Sequence, residues 1–262
     1  MKAGAVFLAP ALVVLGIPAR PAAFDHSAWD ALLREHVENG SVDYDAFQAS
    51  PEFASYLEAL DDADLGSLDG PERLALWINA YNAYTIQLIN VHGERRSIRD
   101  INKTLGILEG KGPWREPIAK VGGRTLTLDD VEHAIIRKEF DEPRIHFALV
   151  CAAVGCPPLR SEAYTGERLE SQLDDQARIF VRESPSLNRV DVRNGTVYAS
   201  PIYAEWYRED FGGTNASIGR FLAAYYPDGP ERKLLESGRF KLVPTAYDWT
   251  LNSRAKHPSK KP

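Results

Sequence analysis

Cys151 and Cys156 are the only two thiols in this 262-residue chain. A cysteine nucleophile needs a base to form thiolate and a third group to orient that base. His146, five residues ahead of Cys151, and His133 are the candidate bases. Glu132, Asn79 and Asp248 are the groups that could orient one of them. This set predicts a thiol hydrolase or acyltransferase with Cys151 or Cys156 as nucleophile. The same pair can instead close a structural disulfide, leaving a non-catalytic binding module. A dithiol oxidoreductase is a third reading, although its usual signal is two intervening residues and here there are four. The donor atoms of His133, His146, Cys151 and Cys156 suit zinc, but none of the short paired spacings of a zinc site occurs, so no metal is expected.

Three more residues carry ligand chemistry. Arg144 stands at the mouth of an apolar run, where its guanidinium could anchor a carboxylate or phosphate. The alternative is a salt bridge to Glu132, Glu142 or Asp248. Asn79 and Asn82 lie three apart on a strongly apolar segment. A buried amide must find partners, so they either lock neighbouring loops or line a site. Together with Asp248, these are the candidate ligand-binding residues.

The elements that must position these groups follow from periodicity. Residues 71 to 91 carry apolar side chains on nearly every face, which predicts a helix buried on most sides. Before it, Trp29 to Val37 and Phe53 to Leu60 read as amphipathic helices, the first capped by Ser27 and the second opened by Pro51. Residues 117–121 and 124–126 predict a hairpin around Gly122-Gly123. Thr127 caps a helix on which the neighbours Glu132 and His133 point about 100° apart. The unbroken apolar run Ile145 to Val150 predicts a central strand covered on both faces. On such a strand His146 and Cys151 point to opposite faces, which makes His133 an equally good partner for the thiol. Thr165 caps a helix through Val181, and Asn194-Gly195 marks a second hairpin. An aromatic stripe at 203, 206, 207 and 211 reads as core. A short helix at 217–225 and a strand at 240–243 close the fold. The expectation is an α+β single domain over 24–252. Its N-terminal helices and buried central helix pack on a small mixed β-sheet with an inserted hairpin.

The ends carry other information. Lys2, the apolar run Ala5 to Ile17 and the small residues up to Ala23 have the order of a secretory signal peptide. The run is too short to span a bilayer. Cleavage between Ala19 and Ala23 is expected, with an uncleaved anchor as the alternative, and a periplasmic or secreted location follows. Residues 253–262 read as a basic, disordered tail. The net charge of −6 becomes more negative without the leader, which argues against nucleic-acid binding. No cofactor is expected, and the partner remains open between a small molecule, a peptide and a protein.

Several motifs recur in a recognisable order. They are Trp77-Ile78-Asn79-Ala80-Tyr81-Asn82, Ser97-Ile98-Arg99-Asp100-Ile101, Glu132-His133, Arg144-Ile145-His146-Phe147-Ala148-Leu149 leading to Cys151, Cys156-Pro157-Pro158-Leu159, and Tyr247-Asp248-Trp249. In this order the chain resembles the domain of unknown function family 547 (DUF547) from about Trp29 to Leu251. The resemblance implies an exported bacterial form of a domain that elsewhere is fused to coiled-coil or redox-type domains, and it implies no reaction. A histidine beside a buried helix is also loosely similar to the transglutaminase and papain-like arrangement. There the nucleophile sits on the helix, where this chain has Asn79.

Overall fold

The computed structural model describes residues 23–102 and 112–254. Residues 1–22 of the expected leader and residues 255–262 of the expected tail lie outside them. The chain opens with α1 (Ser27–His36), β1 (Val37–Glu38), β2 (Ser41–Val42), α2 (Tyr44–Ala49) and α3 (Pro51–Asp61). α2 is a short helix of six residues. Asp43 caps it by accepting from Ala46 N at 3.1 Å. Trp29 of α1 stacks on Tyr56 of α3 at 5.5 Å and nearly parallel, and Phe47 and Phe53 close the cluster around it.

His26 sits at the edge of this cluster, buried, with Nδ1 2.8 Å from the Tyr56 hydroxyl and Nε2 without a partner. Burial lowers its pKa from 6.5 to about 4. The unfolded chain therefore binds the proton more readily than the folded one. The stabilising effect is complete above pH 6.5 and fades as the pH falls towards 4. About 3 kcal/mol should be lost over that window. Urea titrations from pH 4 to 7 should show this slope, and His26→Phe should flatten it. An unchanged slope in the variant rules His26 out as its source.

α4 (Gly70–Val91) is capped by the Asp69 carboxylate on Glu72 N at 3.0 Å, with Pro71 in its first turn. It is buried on most of its faces, as the sequence predicts. The hairpin β3 (Ala119–Val121) and β4 (Arg124–Leu126) pairs Val121 with Arg124. Only two residues join the strands, Gly122 at φ +58° and Gly123 at φ +70°. Such a turn needs two left-handed residues, which glycine supplies without strain. Residues 130–136 then form a π-helical stretch that runs into α5 (Arg137–Glu139).

The run expected to be a central strand is instead a single helical turn, α6 (Ile145–Ala148). Its amides bond locally, Phe147 N to Arg144 O at 3.0 Å and Leu149 N to Ile145 O at 2.9 Å, which leaves none for a ladder. Ile145 and Ala148 pack into the apolar cluster around α4, and Phe147 packs into a second cluster. A segment at the seam of two clusters is apolar all round, and so reads like a doubly covered strand.

The second cluster lies under α7 (Leu169–Glu183), whose start Thr165 does not cap with its side chain. The hairpin of β5 (Arg189–Asp191) and β6 (Thr196–Ala199) takes β7 (Lys241–Pro244) in parallel alongside β6, making a mixed three-stranded sheet. Tyr203 and Phe211 of the aromatic stripe are core here. α8 (Asn215–Ala223) and α9 (Pro230–Ser237) complete the fold, the latter unforeseen. The architecture is α+β, helices with small sheets. Among the described residues no helix is long and apolar enough to cross a membrane.

Candidate functional site

Beyond α6 the chain is held by α4. Asn82 Nδ2 donates to Ala148 O at 2.9 Å, and Val150 N donates to Asn82 Oδ1 at 2.9 Å. Asn79 holds Tyr164 in the same two-way manner, at 2.8 and 3.0 Å. Both amides are thus engaged with backbone away from the cleft described below, in the loop-locking role the sequence allowed. Arg144 is also elsewhere, bound to Glu142 and, at 2.7 Å, to Glu170.

Cys151 opens a loop that returns at Cys156, the two sulfurs at disulfide distance and the Cα atoms 6.3 Å apart. Ala152 takes φ +59°, a left-handed conformation that costs an alanine about 1–2 kcal/mol. The closing segment of the chain sustains it. Val154 N donates to Thr250 O and Gly155 N to Asp248 O, both at 2.8 Å. A Cβ on Gly155 would stand 2.8 Å from Asp248 N and 3.0 Å from Tyr247 Cγ. Only glycine lets that segment come so close. The Asp248 carboxylate accepts from Thr250 N at 2.8 Å and orients no histidine.

This approach seats the Tyr247 hydroxyl 2.9 Å from Cys151 Sγ and 3.0 Å from Cys156 Sγ. Bonded sulfurs carry no hydrogen, so the phenol is the donor. Burial raises its pKa and keeps it protonated. Cys156 Sγ also receives the Cys151 N–H at 3.0 Å. Cys156 is only 6% exposed, whereas Cys151 is half-buried.

Both cysteines line a cleft of about 220 Å³. Its floor is His146, with Nε2 2.7 Å from Asp210 Oδ2, Nδ1 3.9 Å from Glu132 Oε1, and its ring stacked 3.9 Å over Tyr207. Burial pulls the His146 pKa below its ordinary value, against the pull of Asp210 and Glu132. Arg137, which holds Asp210 through two nitrogens at 2.6 and 2.7 Å, lowers the Asp210 pKa. Glu132 is buried and bonded to the hydroxyls of Tyr81 and Tyr207. His133 sits at the rim, where its Nδ1 accepts from Arg137 at 3.0 Å. Although adjacent, Glu132 and His133 therefore line one cleft. They occupy the π-helical stretch, a form frequent at functional sites. The cleft mouth is aromatic, formed by Trp114, Trp206, Tyr247 and Trp249.

The structure thus brings together Cys151, Cys156, His133, His146 and Glu132, and leaves Asn79, Asn82, Arg144 and Asp248 out of the cleft wall. Because residues 145–148 are helical, strand alternation does not set His146 and Cys151 on opposite faces. Asp210, Tyr207, Tyr81 and the aromatic mouth were not foreseen as site residues. They arrive from distant parts of the chain with no local pattern to mark them, and Tyr247 was visible only as part of a motif. Among the described residues no group of three His, Cys, Asp or Glu side chains is placed to hold a metal.

Comparison with curated proteins and with solved structures returned no significant match. Residues 65–181 match the family model described as "Protein of unknown function, DUF547". This span holds α4, the turns bearing Glu132 and His133, α6 and both cysteines, while Asp210 and Tyr247 lie beyond it.

Proposed function

We propose that the cleft is a thiol–disulfide exchange site with Cys151 and Cys156 as its reactive pair. The observation that carries this reading is the hydrogen bonding of the two sulfurs. The Tyr247 O–H stands 2.9 Å from Cys151 Sγ and 3.0 Å from Cys156 Sγ, Cys156 Sγ alone also takes the Cys151 N–H, and Cys151 is the more exposed residue of the pair. An incoming thiolate attacks Cys151 Sγ and forms a mixed disulfide. The bond between the cysteines breaks, and its electron pair stays on Cys156 as a thiolate that both donors stabilise. Exchange is faster the better the leaving thiolate is stabilised. A second thiolate then attacks the substrate sulfur of the mixed disulfide and releases Cys151 thiolate. Two thiols have become a disulfide and the protein holds a dithiol, which a second disulfide compound reoxidises. An exported location, expected from residues 1–23, suits such a cycle.

A second reading has one observation in its favour: the His146–Asp210 pair lines the same cleft. In the reduced protein, His146 is the base for a Cys151 nucleophile in a thiol hydrolase. Thiol counting after equilibration in glutathione buffers tests the first reading. Two thiols should appear and disappear reversibly in the native protein. A pair that stays oxidised until the protein is denatured overturns it. For the second reading, reduced protein should hydrolyse an activated ester in a His146-dependent way, and no such hydrolysis sinks it.

A further inference from the structure

We infer that the cleft selects a thiol or disulfide compound carrying an ammonium group a short alkyl chain from its sulfur. This rests on the exchange reading and adds the substrate class. The cleft lining contains two carboxylates, Asp129 and Glu132, and no lysine or arginine. Asp129 is satisfied by Arg115 at 2.9 Å. Glu132 is not matched in this way. It is 6% exposed, and its partners are two tyrosine hydroxyls and His146 at 3.9 Å, a histidine that burial biases towards the neutral form. Among the described residues no lysine or arginine forms an ion pair with it; Arg137 feels its charge, but its guanidinium is bound to Asp210. A buried carboxylate facing a cavity without a directly bound counter-charge is a place for a cation to bind, because burial weakens screening.

The walls repeat the preference. Trp206, Tyr247 and Trp249 form a contiguous group with centroids 4.6 to 5.8 Å apart, and Trp114 joins at 6.0 Å from Trp249. Ring faces attract organic cations, and Trp249 already carries the guanidinium of the exposed Arg99 at 5.1 Å. Tyr247 belongs both to this group and to the sulfur site. A cation held between rings and Glu132 is therefore beside the disulfide. The cavity, about 220 Å³, suits an aminoalkyl group rather than a folded segment.

The test measures exchange of the full chain with three small disulfides of similar size: cystamine, hydroxyethyl disulfide and dithiodiglycolate. Cystamine should show a KM about tenfold lower than the neutral compound, and the anionic one the highest. In Glu132→Gln the ratio of cystamine to hydroxyethyl disulfide should fall towards one. Equal KM values for all three overturn the substrate class while leaving exchange intact. Should no disulfide react, tryptophan fluorescence titration with choline separates the two ideas. Saturable quenching abolished in Glu132→Gln retains the cation site without the exchange reading, and no saturation removes both.

Discussion

Replacing Cys156 by alanine is expected to convert the protein into a covalent trap, while replacing Cys151 by alanine removes all reaction with disulfide compounds. Both cysteines line the cleft, and Cys151 is half-buried whereas Cys156 is 6% exposed. With Cys156 gone, a mixed disulfide on Cys151 has no internal thiol to resolve it and should accumulate to one equivalent by mass spectrometry. With Cys151 gone, the remaining thiol is shielded and turnover should drop at least about a thousandfold, to background. Both variants also lose the cross-link. Closing so short a loop stabilises by about 2 kcal/mol, so each should melt earlier than the oxidised parent, as the reduced parent should. Adducts on Cys156 but not on Cys151 would reverse the assignment of attacked and leaving sulfur. Adducts on neither remove the exchange reading.

The second large effect belongs to Asn82, which touches neither sulfur. Its amide satisfies Ala148 O and Val150 N at once, in a buried position where no water replaces it. Asn82→Ala leaves one acceptor and one donor unpaired, each costing about 1–3 kcal/mol, so about 2–6 kcal/mol of stability should be lost in urea titration. Asn82→Asp keeps the acceptor for Val150 N and withdraws the donor for Ala148 O, and a buried carboxylate adds its own cost. The exit of α6 leads directly to Cys151. Iodoacetamide labelling of reduced Asn82→Ala should therefore be faster at Cys151 than in the reduced parent. A loss below 1 kcal/mol would mean that α6 is held by packing alone.

Much of the frame was legible because local rules wrote it. The apolar faces of α4, Gly122-Gly123 in the first hairpin and Asn194-Gly195 in the second each leave a short-range signature. The strand read at 145–150 failed for a definite reason. Ile145 and Ala148 enter one cluster and Phe147 another, and burial on every side erases the periodicity that separates helix from strand. The difference reaches the chemistry, since strand alternation would set His146 and Cys151 on opposite faces and a helical turn does not impose it.

By itself the sequence determined which residue types could react, that Cys151, Cys156, His146, His133 and Glu132 are the suspects, and that α4 is a helix buried on most faces. Only the tertiary structure decided what these groups do to one another. Tyr247 reaches the sulfurs because Gly155 has no side chain to hold the closing segment away. Asp210 reaches His146 from 64 residues away. Such encounters depend on how separate elements pack and leave no mark in local spacing, so they become visible only once the chain is folded.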